Sequence, residues 1–319
     1  MRSCFTRALD FARRCRDYAH VYEPSDDTYL LLDALGADVD AREAAAEGDG
    51  DETCRVRTTL EIGCGTGVPS VYLALRLRGM AGGHNDDDQP SSCNEEQETK
   101  SEEKNRRPTE DERDAFTCEM ENKLAEFLND PRTTAAHMRK MDSGLKKMFD
   151  QIAAMPAEDL PAIHCVTDIN PEAIRIAKAT AEKNGISSGD FRACQCDLAA
   201  DLLPRLENAV DVLIFNPPYV PTPDEEVGSD GIAASWAGGR NGRVVLDRAL
   251  PQIARLLAYP RGVAYVVVVD DNYPEEVCRT MAEAYGVTAI PWLRRRARNE
   301  FLTILKMVPT RRFRLEGQN

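Results

Sequence analysis

The chain has 319 residues, 42% of them hydrophobic, enough for one large domain or two small ones, and a formal charge of −14. That sign argues against a surface built mainly to grip nucleic acid, and no apolar run approaches the roughly 18 residues of a membrane span. Residues 81–160 hold 20 acidic and 11 basic side chains and so account for −9 of the −14; the acidity describes one segment, not the whole surface.

The arginine-rich opening, residues 1–20, has the spacing of an amphipathic helix. Its basic face is interrupted by Asp10 and Asp17, which favours a structural helix or extension over a mitochondrial presequence. From Thr58 the text becomes regular. Thr58–Ile62 reads as a short strand, followed by the glycine-rich Gly63-Cys-Gly-Thr-Gly67 and an apolar-spaced helix. Ile163–Asp168 is the next strand. The helix after it opens on Asn170-Pro171, an N-cap with proline at the first helical position, and closes at Gly185. Phe191–Asp197 and Asp211–Asn216 read as the third and fourth strands. A helix then precedes the fully apolar Val263–Asp270. Pro274–Tyr285 is helical, and the stretches VTAIPWL and FLTILKM read as two strands joined by the basic RRRARNE.

Strands alternating with helices, and apolar along their whole length, indicate a parallel sheet covered on both faces. The last two strands have no crossover helix between them, so that pair is expected to be antiparallel. The expected fold is α/β: a Rossmann-like sheet of the class I methyltransferase kind, mostly parallel with a C-terminal antiparallel hairpin. Residues 21–80 and 161–308 would form one domain, preceded by the 1–20 extension and followed by a basic tail, 309–319. Residues 81–160 interrupt the rhythm and have the composition of a partly disordered, acidic insertion.

Three acids stand at successive strand ends. Glu61 lies just before the glycines, where a carboxylate suits a cationic amino group and would repel a pyrophosphate. Asp168 is placed to accept from vicinal ribose hydroxyls, and Asp197 from an exocyclic amine. Acids at strand ends also cap helices, but three beside one glycine loop point to a nucleoside carrying an amino acid. The fourth strand ends on Asn216-Pro217-Pro218-Tyr219. The Asn216 side-chain oxygen and the Pro217 carbonyl are acceptors that suit an NH2 group, and Tyr219 offers a flat wall for a planar amide or base. An amide is a weak nucleophile, so positioning would carry the rate. The ten scattered cysteines include no CxxC pair, and Cys194 and Cys196 alternate along a strand; reduced thiols in a cytoplasmic protein, with no metal site, are the expectation.

These motifs, Glu61-x-Gly63-x-Gly65-x-Gly67 and Asn216-Pro-Pro-Tyr219, resemble those of the HemK-like amide and amino methyltransferases. The segments Val21–Leu35, Thr167–Ile174, FNPPYVPTPDEEVG and Trp236–Arg243 look more closely like the release factor glutamine methyltransferases of that family. The resemblance implies S-adenosylmethionine as methyl donor and, as acceptor, the N5 amide of the glutamine in the Gly-Gly-Gln motif of the class I translation termination factor. By matching positions, Thr28, Glu61, Gly63, Gly65, Asp168, Asp197, Leu198 and Asn216 would contact the donor, with Asn216, Pro217 and Tyr219 at the acceptor. The segment Tyr22-Glu23-Pro24 would fold over the donor. The resemblance also implies a heterodimer with a small zinc-binding activator. Adenine N6 in nucleic acid, a protein lysine, or an idle binding module are the competing readings.

Overall fold

The computed structural model describes residues 21–49, 56–81, 162–228, 235–297 and 300–313. The expected N-terminal helix, nearly all of the acidic insertion, and the end of the basic tail lie outside these residues. Helix α1 (Asp26–Asp49) precedes β1 (Thr58–Ile62) and α2 (Val68–Ala81). Beyond the insertion come β2 (Ile163–Asp168), α3 (Pro171–Lys183), β3 (Phe191–Gln195), the short α4 (Leu203–Leu206) and β4 (Val212–Phe215). The chain continues through α5 (Val244–Leu256), β5 (Val263–Val269), α6 (Pro274–Tyr285), β6 (Val287–Ala297) and β7 (Glu300–Pro309).

The seven strands form one sheet in the order β3-β2-β1-β4-β5-β7-β6. The first five run parallel, and β7 enters antiparallel between β5 and β6. Both features agree with the sequence reading. Alternate residues of each central strand face opposite layers. Val212 and Ile214 of β4 join Val263, Tyr265 and Val267 of β5 in a core with Leu31 and Leu35 of α1 and Val71 of α2. Leu213 and Phe215 join Ala264, Val266 and Val268 beneath Leu250 and Ile253 of α5 and Met281 of α6. Every residue of β4 and β5 is buried, each large apolar side chain contributing on the order of 1.5–3 kcal/mol. Buried Asp211 accepts from the Arg57 and Thr58 amides and from Arg261, tying the start of β4 to that of β1.

Helix ends follow the local sequence. Asn170 caps α3 by accepting from the Glu172 amide, with Pro171 in the first turn. Pro274 opens α6, and Gly286 closes it at φ 64°. The hairpin departs from expectation. Arg294–Ala297 is not a connection but the second half of β6, paired residue for residue with Phe301–Thr303 and Glu300 beyond an irregularity at Pro291–Leu293. The arginines fit a strand edge because Arg294 meets Asp270 and lies over the Phe301 ring, while Arg295 meets Asp33.

The strand order reverses between β1 and β4, the position at which open α/β sheets leave a crevice. Register sets what meets there. Ile62 lies opposite both Thr167 and Phe215, and Asp168 opposite Gln195. The residues that follow β1, β2, β3 and β4 therefore converge along one edge of the sheet.

Candidate active site

The glycine loop after β1 turns through Gly63, Gly65 and Gly67, all at positive φ (65°, 51° and 72°). At Gly67 the need is also steric: a Cβ would stand 2.8 Å from that of Ala177 in α3. Asp168 braces the loop, accepting from the Gly65 amide at 3.0 Å and from the Asn170 amide at 2.9 Å. Its role is thus partly architectural, and burial pushes its carboxyl up. Glu61 is only 3% exposed. Its Oε2 accepts from the Ser70 amide in the first turn of α2, and burial, with Asp168 nearby, raises its pKa to about 8. Burial with no paired cation among the described residues raises a carboxylate in this way.

The fourth wall begins at Asn216, whose amide has two fates. Nδ2 donates to Asp27 Oδ2 at 3.1 Å. Oδ1 is buried and has no hydrogen-bond partner among the described residues. An amide carbonyl sealed from solvent without a donor is costly, and the residue that carries it is one of those lining the cleft. Asp27 decides which atom faces which way, because a carboxylate accepts only and so selects the Nδ2 end.

Asp27 was not singled out from the sequence, yet it is the hub of the site. At 1% exposure it also accepts from the hydroxyls of Tyr22 (2.9 Å), Tyr219 (3.1 Å), Ser25 (2.9 Å) and Thr28 (3.2 Å) and from the Thr28 amide (2.6 Å). Burial first, then the Asp27 charge, pushes the Tyr22 phenol up to about 12 and the Tyr219 phenol higher still. Both remain O–H donors. The segment preceding α1 is thereby fastened to the end of β4, 189 residues away.

The Pro217–Tyr219 turn is braced from behind by Trp236–Arg243. Val220 and Ala237 bridge, with Val220 accepting from Gly238 and donating to Trp236. Gly242, at φ 64°, packs so closely on the Tyr219 carbonyl that a Cβ would overlap it. Buried Asn272 donates Nδ2 to the carbonyls of Tyr219 and Asn241. These glycines and Asn272 were legible only as a motif or not at all; no pattern around Asn272 signals its contact with a turn 53 residues earlier.

The cleft encloses about 200 Å³. Thr28, Glu61, Gly63, Gly65, Asp168, Asp197, Leu198 and Asn216 all line it, as do Tyr22 and Pro24. Leu198 takes φ 52°, rare for a branched residue, directly after Asp197. Asp197 is paired with Arg248, also of the lining. Two expectations change. Pro218, rather than Pro217, lines the cleft, Pro217 being buried. Tyr219 is turned by its bond to Asp27 and is not in the cleft wall, so it is a strut for the site rather than a flat wall.

The chain was compared with known proteins, and no family model matches it. Methyltransferase HEMK2 of Mus musculus is 36% identical over 289 residues, 91% of this chain and 90% of that protein. The Homo sapiens HEMK2 is 34% identical over the same shares. The eRF1 methyltransferase catalytic subunit mtq2 of Schizosaccharomyces pombe is 28% identical over 92% and 91% of the two chains. Identity of this depth along nearly the whole of both chains, on a sheet with a built cleft at its switch point, means that the protein belongs to the HEMK2 methyltransferase family.

Proposed function

We propose that the chain transfers a methyl group from S-adenosylmethionine to the side-chain amide of the glutamine in the Gly-Gly-Gln motif of a class I translation termination factor. The catalytic unit on this reading is residues 21–80 with 161–308, interrupted by the acidic insertion. It works as a heterodimer with a small zinc-binding activator, in keeping with the fission yeast relative's description as the catalytic subunit of an eRF1 methyltransferase. The observation that carries the reading is Asn216 Oδ1: a buried acceptor without a donor among the described residues, on a residue of the cleft wall, with its orientation chosen by Asp27.

The residues present suit the donor. Glu61 is a buried carboxylate pushed toward its neutral form, and an ammonium group would restore its charge. Gly63 and Gly65 let the backbone approach closely, Asp168 retains acceptor capacity beyond its two amide bonds, and Asp197 and Leu198 form the far wall. Thr28 closes the cleft from the α1 side. When bound, the donor supplies an electrophilic methyl on a sulfonium.

Asn216 then accepts one N–H of the substrate amide, so that the nitrogen is oriented by a fixed acceptor. Proline offers no competing N–H and stiffens the turn. An amide nitrogen is held by its own conjugation, so placement and a dry, preorganised electrostatic site supply the rate. The Tyr22 and Tyr219 hydroxyls serve as donors to Asp27, not as bases, because their pKa values are raised.

Radiolabelled donor, the chain with its activator, and a termination factor carrying Gly-Gly-Gln or Gly-Gly-Ala test the proposal. Label is expected in the glutamine form alone, and Asn216→Ala should lower transfer by orders of magnitude while donor binding stays measurable. Label in neither factor, with transfer to a lysine or an adenine base instead, would overturn the assignment of the acceptor.

A further inference from the structure

The end of β3 carries a chemical grouping that neither donor nor acceptor needs. β3 is the edge strand of the sheet, pairing with β2 alone. The sequence places Cys194 and Cys196 in simple alternation along a strand, but β3 ends at Gln195. Beyond it the chain bends, with Ala200 donating to the Asp197 carbonyl and Leu202 and Leu203 to that of Ala199. This turn returns Asp201 to the two cysteines. The Sγ atoms of Cys194 and Cys196 and a carboxylate oxygen of Asp201 all lie within 4.8 Å of one another. Both cysteines are free thiols, and Asp201 is exposed, so the group is open to solvent on its carboxylate side.

We propose that Cys194, Cys196 and Asp201 form a three-ligand site for a zinc-class divalent cation, with the fourth position left to solvent. Two thiolates and a carboxylate suit a borderline-soft d10 ion rather than calcium or magnesium. Zinc–sulfur bonds of about 2.3 Å and zinc–oxygen bonds of about 2.1 Å place tetrahedral ligand atoms about 3.6–3.8 Å apart. From 4.8 Å at most, the separations need to contract by about 1.2 Å at most, within reach of side-chain rotation by two cysteines and an exposed aspartate. Binding forms two metal–thiolate bonds and one metal–carboxylate bond. It releases two thiol protons to solvent, and no atom changes oxidation state. A dication offsets the mutual repulsion of two thiolates and a carboxylate held this close.

Cys196 also lines the cleft, immediately before Asp197 and Leu198. Metal occupancy would pin that wall and, on the donor reading proposed above, tighten donor binding; the coupling is reciprocal.

The test uses the reduced, chelator-treated full chain titrated with Co2+, read by thiolate-to-cobalt charge-transfer absorption. One equivalent is expected, displaced by Zn2+. Because the chain has ten cysteines, the decisive reading is the difference between variants. Cys194→Ser should abolish the band, Asp201→Asn should weaken binding about tenfold or more, and Cys278→Ser should leave it unchanged. Asp201 is exposed, so its variant stays folded and informative even if Cys194→Ser does not. No band, or a band that survives both Cys194→Ser and Asp201→Asn, overturns the site. Calorimetry with S-adenosylhomocysteine, with and without one equivalent of Zn2+, reads the coupling separately. A several-fold gain in affinity supports it, and equal affinities overturn the coupling while leaving the cobalt result to judge the site.

Discussion

Replacing Asp27 by asparagine changes one atom and tests how the acceptor site is oriented. Asp27 takes six hydrogen bonds, from Tyr22, Ser25, Tyr219, Asn216 and two from Thr28. The four hydroxyls can rotate and become acceptors, but the Thr28 N–H and Asn216 Nδ2 cannot. If the new carbonyl keeps the Thr28 amide at 2.6 Å, its NH2 faces Asn216 Nδ2 at about 3 Å, donor against donor. Rotating the Asn216 amide by 180° relieves this clash and turns Nδ2 into the cleft, where an acceptor is needed. Removing one preorganised partner of this kind costs about 10²–10³ in kcat, or roughly 2.7–4 kcal/mol. The disturbed hub should also cost about 1–3 kcal/mol of stability, a few degrees in Tm. Donor affinity should stay within about threefold, since Asp27 is not in the cleft wall. Single-turnover methylation, calorimetry with S-adenosylhomocysteine and thermal unfolding read the three quantities. In an Asn216→Ala background the Asp27→Asn change should add little further loss of rate, because both act on one group. Turnover within about threefold of the parent protein, or fully multiplicative losses in the double variant, would refute the idea that Asp27 works through Asn216.

Glu61 predicts a proton count and a pH profile. At pH 7 a group near pKa 8 is about nine-tenths protonated, so pairing with an ammonium should release up to about 0.9 proton per donor bound. Calorimetry in buffers of different ionisation enthalpy measures this, and Glu61→Gln should abolish it; zero release by the parent protein would remove the cation assignment. The folded-state pKa is raised, so this group disfavours the native state as pH climbs. Its contribution is fully present below about 4.5 and is lost as pH rises through about 8, so donor-free Glu61→Gln should gain on the parent by a few kcal/mol above pH 8. Equal alkaline unfolding profiles would contradict that sign. Gly242→Ala forces a Cβ onto the Tyr219 carbonyl and strains a positive φ, and should cost about 3 kcal/mol or more. An unchanged denaturant midpoint would mean the turn is not braced from behind.

How much was legible in the sequence depends on whether a residue's partner lies within its own element. The order of strands and helices, the glycine loop and the acids at strand ends are local patterns: apolar runs, Asn-Pro caps and glycines at turns carry their own reasons. Parallel connections then leave few topologies, so Glu61, Asp168, Asp197 and Asn216 converge once the sheet is wound. RRRARNE misled because a run of arginines reads as solvated loop, whereas pairing with β7 and the carboxylates of Asp33 and Asp270 holds it as strand. Asp27 is one of two adjacent acids in the first turn of α1 and carries no local signal of its role. Only folding brings Asn216 and Tyr219, 189 and 192 residues away, to its carboxylate, and with them the choice of which end of an amide faces the cleft. Asn272 and Gly242 became parts of the site in the same way, by reaching the Tyr219 carbonyl from elements that carry no chemistry of their own. Sequence alone thus determined which functional groups the sheet edge would present. The tertiary structure decided how they are aimed, because hydrogen-bond direction depends on partners far apart in the chain.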